Sequence, residues 1–176
     1  MYVVLIILLL SATLTDLIRN KIPNAISLGG IAVGFVLQGW FMGAEGLLNG
    51  FLGMLLGLIV LLPMYAWRAM AAGDVKLMAM VGTFVGPTVV LVCVVSTLIL
   101  GMVLALAYTV LWGKSGKLFR RYGLMAKTFF STFKWIYIPP SAEDGGDMRF
   151  PYAMAIFAGT AFGLWYSDIA VASFVF

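Results

Sequence analysis

The stretch Ala71-Ala72-Gly73-Asp74-Val75-Lys76-Leu77 places a carboxylate at the start of an apolar helix, between two long hydrophobic runs. A second carboxylate, Asp16, ends the first hydrophobic run, just before Arg19-Asn20-Lys21-Ile22-Pro23-Asn24. We predict that the rest of the chain is a scaffold that brings Asp16 and Asp74 together at a membrane surface.

The composition indicates a membrane protein. Of the 176 residues, 63% are hydrophobic and 10% are charged, whereas soluble domains have about 45–50% apolar and about 25% charged residues. A soluble chain of this length could not bury so much apolar surface, so lipid must solvate most of these side chains. We predict an all-α, polytopic membrane helix bundle that forms a single integral-membrane domain over residues 1–176.

The residue types argue against several kinds of site. The chain has no histidine and one cysteine, Cys93, so zinc sites and thiolate–imidazole catalysis are not expected. Cys93 lies in a hydrophobic run and is predicted to be a small buried side chain, not a nucleophile. The net charge of +4 would suit nucleic acid, but its distribution indicates a membrane surface, and no nucleic-acid partner is expected.

Hydrophobic runs near the length that spans a bilayer, about 20 residues, predict six crossings. Pro23, Gly43-Ala44-Glu45-Gly46 and Gly86-Pro87 are expected to separate the helices. Thr13 and Thr15, at the end of the first run, can return hydroxyl hydrogen bonds to the helix backbone. The predicted crossings are Met1–Thr15, Ala25–Met42, Leu47–Trp67, Val75–Val85, Thr88–Trp112 and a last one from Pro151 toward Phe176.

Residues 113–150 form the long predicted connection between the last two crossings. Arg120, Lys127 and Lys134 recur every seven residues and therefore fall near one helical face, with aromatic residues on much of the remainder. This pattern predicts a cytoplasmic loop that contains an amphipathic helix lying in the membrane interface.

The basic residues test the predicted topology. With six crossings, all 11 Lys and Arg residues fall in or beside the connections on one side. The opposite connections, Gly43–Gly46 and Gly86-Pro87, contain none. By the positive-inside rule the basic side is the cytoplasm and both termini face outward. Asp16 and Asp74 then share the cytoplasmic side, which is required if they act as a pair.

Two neighbouring carboxyl groups suggest acid–base hydrolysis. Such a pair shares one proton, because both groups cannot ionise cheaply. The ionised member can deprotonate a water while the protonated member polarises a scissile carbonyl, as in aspartic proteases. Gly73 is expected to allow close backbone approach and unusual dihedral angles. Taken singly, Asp74 could instead be a helix N-cap and Asp16 a solvated surface charge.

Three motifs together resemble the type IV prepilin peptidases, which are GxGD-type membrane aspartyl proteases. Asp16 with Lys21-Ile22-Pro23-Asn24 is similar to the family's Asp followed by K-I-P-N. Gly73-Asp74-Val75-Lys76-Leu77 is similar to G-x-G-D-x-K-L, and Pro151-Tyr152-Ala153-Met154-Ala155 resembles P-Y-G-x-A at the start of a late helix. Two positions depart from these patterns, since Ala71 and Ala153 stand where glycine is usual.

The resemblance implies that Asp16 and Asp74 are catalytic and that no metal or organic cofactor is needed. It implies cleavage of prepilin or pseudopilin precursors just before their hydrophobic helix, at the cytoplasmic face of the bacterial inner membrane. The lipid bilayer and that precursor helix are the expected partners. Residues in matching motif positions are expected to shape the site, namely Lys21, Pro23, Asn24, Gly73, Lys76, Pro151 and Tyr152. Lys76 could equally be an interfacial anchor instead of a site residue.

Long family members carry an N-terminal cytoplasmic part with two Cys-x-x-Cys pairs and also methylate the new N-terminus. This chain starts at its first predicted crossing and has one cysteine, so we expect no methyltransferase activity. It resembles the shorter branch that serves tight-adherence (Flp) pili. The alternatives are a small ion-coupled transporter that uses Asp16 and Asp74, an inactive scaffold of pilus assembly, and a preflagellin peptidase with the same chemistry.

Overall fold

The computed structural model describes residues 1–67, 69–111 and 152–175, and side chains within residues 1–67, 69–107 and 152–167. The chain divides into two compact units, Met1–Gly101 with Pro151–Phe176, and Met102–Phe150. Every contact described below lies within the first unit. Each regular element in the described ranges is an α-helix, and the four helices are α1 (Tyr2–Arg19), α2 (Asn24–Ala66), α3 (Ala72–Leu111) and α4 (Ala153–Val175).

Three helical segments are long and apolar enough to cross a membrane: Tyr2–Arg19, Asn24–Ala66 and Ala72–Ala107. The apolar segment Ala153–Ser167 is shorter. Large apolar side chains cover the outer surface, and Trp40, for example, is 84% exposed. Lipid is the solvent that suits such a surface. For the described residues, the prediction of an all-α membrane protein is therefore confirmed.

The chain reverses direction within α2, at Gly43. This glycine has φ 60° and ψ −141°, a backbone conformation that side chains with a Cβ rarely adopt. A methyl group built at Gly50 would lie 3.4 Å from Cγ of Gln38. In a straight helix, residues this far apart in sequence would be separated by about 18 Å. The break falls in the predicted connection, but Ala44–Gly46 is already helical and only Gly43 leaves the helix.

A second reversal occurs within α3, at Gly86. Gly86 has φ 78° and ψ 178° and is followed by Pro87, which lacks the N–H that a continuous helix needs. A methyl group at Gly57 of α2 would contact both the backbone of Met78 and the side chain of Val90. These two residues of α3 lie on opposite sides of the break, so its two halves run side by side. The turn predicted at Gly86-Pro87 is present.

The first half of α3 is the centre of the bundle. Every residue from Asp74 to Gly86 except Lys76 is buried. Gly53 of α2 and Gly82 of α3 face each other with their backbones in contact, leaving no room for a Cβ on either. Small residues allow such close packing of apolar helices. Protein, not lipid, therefore surrounds the predicted crossing Val75–Val85.

The end of α1 differs from the prediction. The first crossing was expected to end at Thr15, yet the helix continues to Arg19 and includes Asp16. Asn20 ends it in the left-handed conformation, with φ 50°, and donates its N–H to the carbonyl of Asp16 at 2.7 Å. Asparagine tolerates this conformation better than most residues. Asp16 is therefore a helical residue, not part of the polar linker.

Several predicted features lie outside the described residues. They include the amphipathic helix within residues 113–150 and the motif residue Pro151. Pro23 is described and immediately precedes α2, where its carbonyl accepts the N–H of Ile26 at 3.0 Å. It occupies the N-cap position of α2 and so lies between α1 and α2, as predicted.

Candidate active site

Asp16 lies in the last turn of α1 and is only 7% exposed. Its Oδ2 accepts a hydrogen bond from the backbone N–H of Ala153 at 3.3 Å. Ala153 is the first residue of α4, and the first N–H groups of a helix have no partner within that helix. The alternative that Asp16 is a solvated surface charge is therefore wrong.

Asp74 lies in the first turn of the central helix half and is 5% exposed. Its Oδ2 accepts the N–H of Ala71 at 3.2 Å. Because α3 begins at Ala72, Asp74 is the third helical residue and its side chain reaches back to the residue before the helix, as in a capping box. Asp74 is thus not the N-cap of α3, although it does bond an N–H at the helix terminus.

The fold brings the two carboxyl groups together. They belong to different helices, yet they lie close enough to interact electrostatically. Within the described part of the chain each accepts one backbone N–H, whereas a carboxylate can accept about four hydrogen bonds. Both groups therefore retain the capacity to bind water or substrate.

Gly73 lets the α1–α2 turn approach Asp74. A methyl group at Gly73 would lie 3.2 Å from Cβ of Ile22 and would need the neighbour to shift by a few tenths of an ångström. The dihedral angles of Gly73 are ordinary, since the described glycines with positive φ are Gly43 and Gly86. The expected close approach is present, but the expected unusual backbone conformation is not.

A hydrogen bond joins two of the sequence motifs. Nζ of Lys76 donates to Oδ1 of Asn24 at 3.0 Å. Asn24 is the first residue of α2, and Pro23 precedes it with an extended backbone. The bond therefore connects the start of α2 to the first turns of α3, beside Asp74. Lys21, by contrast, is exposed.

Tyr152 lies just before α4 and interacts electrostatically with Asp74. Its hydroxyl group donates to the carbonyl of Thr97 at 3.4 Å. A side chain at Gly101 would collide with the Tyr152 ring, so the absence of a Cβ there makes room for it.

Sequence reasoning missed the groups that hold the carboxylates. The backbone N–H groups of Ala71 and Ala153 carry no side-chain signal, and their role depends on where helices begin. Thr13 was expected to bond its own helix, and it does so at 2.8 Å to Leu9. Its hydroxyl also lies 3.4 Å from the carbonyl of Ala153. Thr13 lies one turn before Asp16 on the same face of α1, and this spacing was the sequence signal that could have pointed to its second contact.

Other chemistry-bearing groups lie elsewhere. Cys93 is buried, as predicted, and its Sγ lies 3.9 Å from the carbonyl of Thr160. Across residues 1–67, 69–111 and 152–175, no group of three or more His, Cys, Asp or Glu residues could hold a metal ion.

Comparison with known proteins identifies the family. A model of the type IV leader peptidase family matches residues 3–110, which is more than half of the chain and includes Asp16 and Asp74. No curated protein and no solved structure matches the chain. On the strength of the family match, the chain belongs to the type IV leader peptidase family.

Proposed function

We propose that this protein is an aspartic endopeptidase of the membrane, in which Asp16 and Asp74 activate the water that cleaves the leader from type IV prepilin or pseudopilin precursors. The leader is short and basic, and the cleavage point precedes the precursor's hydrophobic helix. In this proposal the helix lies in the bilayer and the leader in the cytoplasm. The family membership of the chain supports a leader peptidase in general.

The observation that carries the aspartic mechanism is the convergence of two buried carboxyl groups from α1 and α3. They are two of the seven Asp and Glu residues in this apolar chain. Each is 7% exposed or less, and they interact electrostatically. Buried ionisable residues in membrane proteins are costly and are functional candidates by default.

The proposed reaction uses one proton shared by the pair. The ionised carboxylate accepts a proton from water as the water oxygen attacks the scissile carbonyl, and the protonated carboxyl group donates its proton to the carbonyl oxygen. As the C–N bond of the tetrahedral intermediate breaks, the leaving amine takes up the proton of the protonated carboxyl group, and one hydroxyl of the intermediate returns a proton to the other carboxylate. Water and peptide are consumed, two new chain ends form, and the pair returns to its singly protonated state.

The proposal includes a topology with six crossings, formed by α1, the two halves of α2, the two halves of α3, and α4. The reversals at Gly43 and Gly86 support it. All 11 basic residues then fall on the cytoplasmic side, and both termini fall outside. Asp16 and Asp74 lie at the cytoplasmic end, where water and the basic leader are available.

The test is a processing assay with a purified prepilin and the enzyme in liposomes, read by gel shift and N-terminal sequencing of the product. Wild type is expected to release the leader, while Asp16→Asn and Asp74→Asn are expected to remain folded and inactive. Asparagine keeps the shape of the side chain but cannot take part in proton transfer. Normal cleavage by either variant would refute the two-carboxylate mechanism.

A matched control is Glu45→Gln. Glu45 is exposed and lies just after the Gly43 reversal, so removal of its charge is expected to leave processing unchanged. If it abolished cleavage as well, loss of negative charge in general would explain the effect, and the special role of Asp16 and Asp74 would be refuted. Wild type that is silent on several prepilins would refute the leader peptidase function itself.

A further inference from the structure

Helix α4 begins against Asp16, and this contact involves both backbone groups of one residue. The N–H of Ala153 donates to Oδ2 of Asp16 at 3.3 Å. The carbonyl of the same residue lies 3.4 Å from the hydroxyl of Thr13. Ala153 is fully buried, so water does not compete for either group.

Thr13 and Asp16 lie three residues apart and therefore share one face of α1. The Thr13 hydroxyl has one proton, which it directs to the Leu9 carbonyl at 2.8 Å and to Ala153 at 3.4 Å. Such shared donors are common near helix termini. Thr13 is 9% exposed, so this shared proton lies in an apolar environment where hydrogen bonds are strengthened.

We propose that Thr13 is a positioning residue for the carboxylate pair. With Asp16, it forms a clamp on Ala153: Asp16 accepts the N–H, and Thr13 donates to the carbonyl. The clamp fixes the first residue of α4 against α1 and thereby fixes the orientation of the Asp16 carboxylate. Oδ2 of Asp16 is held by α4, and Oδ1 is left for the water and the scissile carbonyl. The catalytic part of this inference rests on the proposed peptidase function.

The chain offers a matched control two residues away. Thr15 is also a threonine of α1, but among the described residues its hydroxyl bonds only the carbonyls of Ser11 and Ala12, both at 2.9 Å and both within α1. A Thr→Val substitution at either position removes a hydroxyl and keeps the branched shape. Only the substitution at Thr13 removes a contact with α4.

The experiment compares Thr13→Val, Thr13→Ser and Thr15→Val in the prepilin assay. We expect Thr13→Val to lower kcat by roughly 3- to 10-fold, the factor that corresponds to one hydrogen bond, with KM unchanged because the substrate does not touch Thr13. Thr13→Ser keeps the hydroxyl and should restore most of the activity. Thr15→Val should match wild type. Full activity of Thr13→Val, or failure of Thr13→Ser to restore it, would overturn the proposal.

A second readout does not depend on cleavage. Hydrogen–deuterium exchange of the peptide that contains Ala153 reports whether its N–H is bonded. Exchange at Ala153 is expected to be faster in Thr13→Val than in wild type and unchanged in Thr15→Val. If wild type cleaves no prepilin but this difference appears, the peptidase function fails and the clamp stands. Equal exchange in all variants would refute the clamp whatever the activity.

Discussion

The two ends of the first half of α3 both hold polar side chains in an apolar bundle, but these side chains meet different partners. At one end, which we name the carboxylate end, Asp16 and Asp74 interact electrostatically. At the other, which we name the amide end, Gln38 and Asn49 surround the break at Gly86. Twelve residues separate Asp74 from Gly86, or about 18 Å along a helix.

The amide end has a structural explanation. In a continuous helix the carbonyl of Thr83 would accept the N–H of the residue four positions later, but that residue is Pro87, which has none. Nε2 of Gln38 donates instead to the carbonyls of Thr83 and Phe84, both at 3.2 Å. Gln38 is 1% exposed. Its buried amide therefore provides a donor to the carbonyl of Thr83, for which Pro87 has none.

The carboxylate end has no comparable explanation. The one N–H that each carboxylate accepts from the described residues could equally be bonded by a neutral side chain such as serine or asparagine, which favour helix termini. Burial of two interacting ionisable groups in an apolar region adds an energetic cost to folding that neutral side chains would not have. The comparison teaches that burial of a polar group alone does not indicate function. Gln38 is as buried as the two carboxylates, but its amide N–H groups bond carbonyls beside a helix break.

The largest expected effect is a loss of activity on substitution at the carboxylate end. Asp74→Asn should lower the rate of prepilin cleavage by about 10²- to 10⁴-fold, the range for loss of an acid–base group. Its melting temperature should stay the same or rise, because the substitution replaces a buried ionisable group with a neutral one. The measurements are initial rates in liposomes and thermal unfolding of the same preparation. A stable variant with full activity would make Asp74 a capping residue like those at the amide end.

The second-largest expected effect, at the amide end, is a loss of stability without a loss of activity. Gln38→Leu removes the amide donor that bonds the buried Thr83 and Phe84 carbonyls and should cost about 1–3 kcal/mol of unfolding free energy. The cleavage rate per folded molecule should not change, because the amide end lies far from the carboxylates. Chemical denaturation and an activity assay corrected for folded fraction check this. Loss of activity without loss of stability would mean that the amide end has a function of its own.

A smaller effect concerns the approach of the α1–α2 turn to Asp74. Gly73→Ala should displace Ile22 by a few tenths of an ångström and lower activity on the order of 3-fold, since catalysis is sensitive to small misplacements. The matched control is Gly29→Ala, because a methyl group at that helical glycine meets nothing within 4 Å. Equal rates for the two variants would show that this contact does not position Asp74.

The smallest effect is the coupling between Lys76 and Asn24. Their hydrogen bond is exposed, so Lys76→Met and Asn24→Ala should be coupled by only about 0.5 kcal/mol in a double-mutant cycle of unfolding free energy. A coupling near zero would favour the alternative that Lys76 is an interfacial anchor. A value of several kcal/mol would mean that the bond is shielded from water in the membrane.

Sequence reasoning predicted the features that have local causes. The all-α membrane class followed from the apolar composition, and the breaks at Gly43 and Gly86-Pro87 followed from residues that cannot continue a helix. The motifs around Asp16 and Asp74 pointed to the family that the comparison identifies. The short-branch assignment, the lack of methyltransferase activity and the single domain remain predictions.

Other features could not be predicted because their causes are not local. The end of α1 was misplaced, since an apolar pattern does not say whether Asp16 belongs to the helix or to the linker. The pattern of Val75–Val85 is apolar on every side, which predicts burial but not whether lipid or protein provides it. Gln38 lies 45 residues from the carbonyl that it bonds.

The sequence by itself determined that this chain is helical, lies in a membrane and carries two carboxylates near helix termini, because composition, helix breakers and motifs act over a few residues. Only the tertiary structure decided that the two carboxylates come close enough to interact electrostatically. It also decided that the first residue of α4 bonds one of them. The hydroxyl of Thr13 and the carbonyl of Ala153 are 140 residues apart in the chain. Such a contact depends on how the helices pack, and the side-chain pattern of the sequence does not indicate which backbone groups the packing brings together.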